Sequence, residues 1–121
     1  MFENYNLKLD IESKTMADLC QIFILPACYT YQTKVAQNIH ALQKIGVPES
    51  GYKAQYELLQ DLTQHINLVS TKVNELEQEI ENAHHQSDFE AVAYAFCHKV
   101  KPLMAEIRTS VDHLEGKVED N

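Results

Sequence analysis

Six histidines, three cysteines and a run of glutamates are the residues of this chain whose types could do chemistry. Glu81-x-x-His84 has the spacing of a di-iron ligand pair. A di-iron bundle needs two such motifs plus two further glutamates aimed at one point. The chain has one, at a helix end, and His84-His85 is expected to be a solvated turn. His40, His65, His98 and His113 lie outside any such motif. Cys97 and His98 are adjacent, and adjacent helix residues diverge by ~100°. His40, Lys44 and Gly46 are the ingredients of a phosphotransfer site. The lysine lies four residues on rather than three, and the glycine does not follow it directly.

Glu75, Glu77, Glu79 and Glu81 alternate. Carboxylates at i and i+2 do not share a helical face, so a two-carboxylate acid/base site is not expected there. Close to a helix C-terminus each exposed negative charge opposes the dipole by ~0.3–1 kcal/mol, which reads as a solvated face. Cys20, Cys28 and Cys97 form no CxxC pair and read as small buried apolar residues. There is no nucleophile–base pairing, Gly-rich phosphate loop or dinucleotide motif. The expectation is therefore no catalytic, cofactor-binding or metal-ligating residue in this chain.

The unusual stretch is apolar rather than polar. Lys14 to Lys34 reads KTMADLCQIFILPACYTYQTK, with Pro26 at its centre. An interior proline removes one backbone donor and presses its ring on the carbonyl four residues back, here Ile22, at ~3 kcal/mol. A helix that keeps one is expected to bend and to be held by packing. Between Leu19 and Tyr29 the one polar residue is Gln21. At ~100° per residue, Cys20, Ile24, Cys28, Tyr31, Val35, Ile39 and Leu42 share one face, assigned to the bundle seam. Leu19, Ile22, Phe23, Pro26 and Tyr29 point the other way. Either the tail Met1–Leu9 folds back over them, or they are an interface. They are taken as the candidate interface, because an apolar patch of this size rarely stays open to water.

Three long helices follow from the periodicity and from the glycines at 46, 51 and 116, which are read as boundaries. The first is expected from Asp10 or Ser13 to Ile45, leaving 1–9 as linker or tail and 10–121 as one helical domain. Asp10 is a plausible cap and Gly46 a stop. The second runs from about Tyr52 to Ala83, with apolar residues at Tyr52, Tyr56, Leu59, Leu62, Ile66, Val69, Val73, Leu76, Ile80 and Ala83. Ser87 and Glu90 form a capping box for the third. That helix repeats at Phe89, Val92, Phe96, Val100, Leu103, Ile107, Val111 and Leu114, with a second interior proline at Pro102. Short turns force antiparallel neighbours. The expected fold is all-α: an antiparallel up-down-up bundle of three long helices, the first and third bent at proline.

The residues around Pro26 also carry a resemblance. Thr15-Met16-Ala17-Asp18, then Ile24-Leu25-Pro26-Ala27, with Tyr31 beyond, resembles the "LTM…ILPA…Y" segment in the C-terminal region of type III glutamine synthetases. Val111-Asp112-His113-Leu114-Glu115 and Val118-Glu119-Asp120 are similar to the helix before that family's Trp-Pro-Leu-Pro tail. Ser13-Lys14 departs from the small-apolar pair more usual before Thr-Met, and the chain stops short of any Trp-Pro-Leu-Pro. The resemblance implies a piece of a longer ligase. Its parent would join ammonia to glutamate using ATP and Mg²⁺ or Mn²⁺, in a large homo-oligomer. The upstream catalytic body of the same chain would hold that chemistry, and this segment would pack the body or help assembly. The alternative is a stand-alone cytoplasmic helical interaction or signalling module.

Charge and composition exclude other classes. Eighteen acidic residues stand against ten basic ones, for a formal charge of −8, and Arg108 is the one arginine. A nucleic-acid partner needs a basic face, and so does an anionic membrane surface. The longest apolar run is about half of a ~20-residue membrane span. Met1-Phe2-Glu3-Asn4 lacks the basic start and apolar core of a signal peptide. Three unpaired cysteines suit a reducing, cytoplasmic setting.

Overall fold

The computed structural model describes residues 2–118, and everything below concerns those residues. They form α1 (Phe2–Leu19), a π turn (Cys20–Ile24) and α2 (Leu25–Lys44), which follow one another without a break as a first helical rod. The second rod is α3 (Lys53–His84). The third is α4 (Phe89–Ala95), a second π turn (Phe96–Val100) and α5 (Lys101–Val118). No strand occurs among the described residues.

The heptad pattern of α3 is the spine of the core. Leu62, Ile66, Val69, Val73, Leu76, Ile80 and Ala83 are all buried, in alternating steps of four and three. Such a stripe rotates slowly around the helix and can face two neighbours at once. Ahead of it the pattern fails: Tyr56 is half exposed, and Tyr52 is buried just outside the helix. On the first rod, Leu9, Ser13 and Ala17 face the core before the π turn, Cys20 at its first residue, and Leu25, Cys28, Val35 and Ile39 after it. Ser13 is fully buried, and its hydroxyl donates to the Asp10 carbonyl at 3.0 Å. The third rod contributes Phe96, Val100, Ile107, Val111 and Leu114. Phe89, expected on that stripe, is exposed.

Polar contacts between rods give their direction. Asp10 meets His84, Gln21 meets Glu77, Gln32 meets Thr63 and Gln43 meets Tyr52. Numbers rise on the first rod as they fall on the second, so the pair is antiparallel. His84 meets Phe96, Lys72 meets Glu106 and Asp61 meets His113, so the third rod runs back along the second.

The first turn matches its sequence. Gly46 has φ of 87°, its amide donates to the Gln43 carbonyl at 3.1 Å, and the Val47 amide donates to the Leu42 carbonyl at 3.0 Å. This is a Schellman stop, which needs a left-handed residue. A Cβ on Gly51 would come within 2.5 Å of Val47 Cγ1, which explains the second glycine of the turn.

Four sequence expectations are corrected. The first helix does not start at Asp10 or Ser13: its backbone is already helical from Phe2, so Asp10 caps nothing. For the same reason residues 2–9 do not fold back over the Leu19–Tyr29 face. Asp88, not Ser87, caps the third rod: its Oδ1 accepts from the Ala91 amide at 2.7 Å. The residue then standing where a capping box needs Glu or Gln is Ala91, so no reciprocal bond can form. Gly116 is not an end either, because α5 continues to Val118.

At both interior prolines the helix widens. The Leu25 amide donates to the Cys20 carbonyl, and the Lys101 amide to the Phe96 carbonyl, each five residues back. Each π turn thus closes on the residue just before Pro26 or Pro102. A proline in regular α geometry drives its ring into the carbonyl four residues earlier. Widening the preceding turn moves that carbonyl away. It also absorbs one extra residue, so Cys20 and Leu25, five apart, both reach the core. Regular phase places Ile24 on the seam and leaves Leu25 off it. In the structure Leu25 is buried and Ile24 only partly so.

Candidate functional site

The middle residues of the first rod's π turn face solvent. Ile22 and Phe23 are 62% and 64% exposed, and Leu19 and Tyr29 are each 46% exposed. Pro26 is also exposed. All five candidate interface residues therefore lie on the surface, along one side of the rod. Ile11, 56% exposed, lies within about 20° of Ile22 on an ideal helix, but exposed Thr15 and Asp18 on the same side separate it from the patch. Gln21, the one polar residue of the run, is tied down: its Nε2 donates to Glu77 Oε1 at 2.7 Å. Thr30 and Thr33 turn their hydroxyls back onto the Pro26 and Tyr29 carbonyls, at 3.1 and 2.9 Å. Polar groups around the patch are thus used within the chain.

The thiols divide. Cys20 and Cys28 are buried, and burial pushes both thiols up from their ordinary range. Secondary contributions come from Cys28 and Glu115 at Cys20, and from Glu115 at Cys28. Raised thiols hold little thiolate and are poor nucleophiles. Cys97, expected to be buried, is exposed instead, one residue past the buried Phe96.

The histidines are not all idle. His84, expected in a solvated turn, ends α3 with Nε2 2.9 Å from Asp10 Oδ1 and its ring edge-on to Phe96. His40 is exposed on α2. Glu75 pairs with Lys72 at 3.6 Å, and Lys72 reaches Glu106 on α5 at 3.1 Å. Glu75 and Glu77 of the glutamate run thus have partners, on their own rod and on the first rod.

One cluster escaped the sequence reading. Asp61 and His65 stand one turn apart on α3, and His113 faces them from α5. His113 Nε2 lies 2.8 Å from Asp61 Oδ2. His65 Nδ1 lies 3.0 Å from the Asp61 carbonyl and 3.4 Å from its Oδ1. The two imidazoles stack, centroids 4.0 Å apart. Burial works to raise the Asp61 carboxyl. The His113 hydrogen bond, the charges of His113 and His65, and Lys117 outweigh it and hold the group below its ordinary value. The i, i+4 spacing of Asp61 and His65 was readable in the sequence. The third member needed the register between rods.

Comparison with known proteins gives the chain its relatives. A family model described as the glutamine synthetase C-terminal domain matches residues 1–43. The chain is 27% identical over 122 residues to a glutamine synthetase of Bacteroides fragilis (strain YCH46). It is 28% identical over 123 residues to a type-3 glutamine synthetase of Dictyostelium discoideum. These alignments cover 98% and 99% of this chain but 17% of each relative's length. Among the described residues, no helix is long and apolar enough to cross a membrane.

Proposed function

We propose that this chain, which resembles the C-terminal region of type-3 glutamine synthetases, is a non-catalytic structural and assembly segment of such an enzyme. In this reading the three rods are an up-down-up bundle whose first and third members turn at Pro26 and Pro102. The Leu19–Tyr29 face packs on the catalytic body of the same protein or on a neighbouring subunit. The parent joins ammonia to glutamate at the expense of ATP, in the cytoplasm, as a homo-oligomer. The ATP and the Mg²⁺ or Mn²⁺ that this chemistry uses belong to the rest of the parent. The Asp61–His65–His113 set does not fit Mg²⁺, which asks for a nearly all-oxygen octahedron.

One observation carries the reading: five apolar residues, two of them inside a π turn, stand on the surface of a core that is complete without them. Burial of a large apolar side chain contributes ~1.5–3 kcal/mol, so such a face gains most when covered. The test is Phe23→Ser in the complete enzyme. Loss of subunit assembly with retained helicity supports the reading, and unchanged assembly overturns it. Reading the coding region around this segment tests the parent independently: a catalytic body encoded upstream supports it, and its absence favours a stand-alone interaction module.

A further inference from the structure

We infer that Asp61, His65 and His113 form a zinc site that staples the second helical rod to the third. One nitrogen from each imidazole and one carboxylate oxygen lie within 4.8 Å of one another. A tetrahedral zinc ion with bonds of about 2.0–2.1 Å needs its ligand atoms about 3.3 Å apart. The 2.8 Å between Asp61 Oδ2 and His113 Nε2 is about half an ångström short of that spacing. These side chains are only partly buried, and binding turns the two imidazoles out of their stack so that both lone pairs meet the ion.

The donors choose the metal. Two imidazoles and one carboxylate suit a borderline ion such as zinc, and three protein ligands leave a position for water. The second ring nitrogens matter as well. His65 Nδ1–H donates to the Asp61 carbonyl, which leaves Nε2 with its lone pair. Metal-bound histidines are commonly held in this way, by the N–H of the other ring nitrogen. The backbone places the set without strain: i, i+4 residues share one face of α3, and His113 sits opposite them in the antiparallel register. Lys117 adds positive charge near Asp61, which opposes a cation there.

Titration of the metal-free 121-residue chain with zinc chloride, at mildly alkaline pH, tests this by calorimetry and thermal melting. One equivalent should bind, and the melting temperature should rise with free zinc by mass action. Asp61→Asn, His65→Gln and His113→Gln should each weaken binding at least tenfold, whereas His84→Gln and His85→Gln should leave it unchanged. Cobalt in place of zinc should give the visible absorption of a tetrahedral centre on the unsubstituted chain, which decides the matter even where a variant fails to fold. Absence of binding overturns the proposal. So does binding that survives all three substitutions, or a cobalt complex with only weak octahedral absorption.

Discussion

The amide of Leu25 reaches back five residues, to the carbonyl of Cys20, and both side chains are buried. That bond lets a proline sit next in line without a clash, and it keeps the seam in phase. Ile22 and Phe23, inside the same turn, face solvent. Deleting Phe23 together with Pro26→Ala should collapse the π turn to regular α-helix and leave Cys20 and Leu25 one ordinary turn apart. Urea denaturation should then shift by no more than about 1 kcal/mol. Deleting Gln37 instead rotates Val35 and Ile39 out of register, forfeiting ~1.5–3 kcal/mol for each large side chain unburied.

Two phenylalanines separate core from interface. Phe96 is 1% exposed and Phe23 is 64% exposed. Phe96→Ala should destabilise the fold by ~3–5 kcal/mol, through lost burial and the cavity left behind. Phe23→Ser should change the denaturation midpoint little and act on association, read by light scattering. Equal destabilisation by both would assign Phe23 to the core.

Thiol reactivity should split two to one. With Cys20 and Cys28 buried and their thiols raised, an aromatic disulfide reagent should modify Cys97 quickly in the native chain. The other two should react only as fast as the bundle opens. Rapid modification of all three would show that the seam around the first π turn is open.

Acid should act partly through Asp61. Its carboxyl is lowered in the folded chain from an ordinary value of 3.8. A depressed carboxyl contributes stability that is fully present above the unfolded value and is lost as pH falls through the folded one. Asp61→Asn should therefore flatten the stability curve below about pH 4, while above it the variant is the less stable of the two. A melting-temperature series across that range checks both limbs.

Gly46→Ala should cost about 1 kcal/mol, because φ of 87° is left-handed and the stop depends on it. The space around it is open, with nothing within 4 Å of an added Cβ. The loss is therefore conformational rather than steric. Gly116→Ala, inside α5, should be neutral or slightly stabilising by helix propensity. The two midpoints measured side by side isolate the turn.

Much of this molecule is local and was legible in the chain. The steps from Leu62 to Ala83 announce a buried stripe, because helical period and side-chain type suffice to place it. Gly46 announces its stop, because only a residue without Cβ takes that backbone freely. The residues Leu19, Ile22, Phe23, Pro26 and Tyr29 separate from the seam by phase alone. Other features depend on what lies across the core. Phase counting assumes a regular helix, so it could not see Leu25 replace Ile24 once the turn widened. Asp88 displaced Ser87 because neighbouring candidates for a cap differ only in where the backbone turns. Asp61 and His65 were one turn apart on paper, but His113 lies 48 residues further along the chain than His65. Only antiparallel packing of the second and third rods, a long-range property of the buried faces, brings its imidazole to the same point.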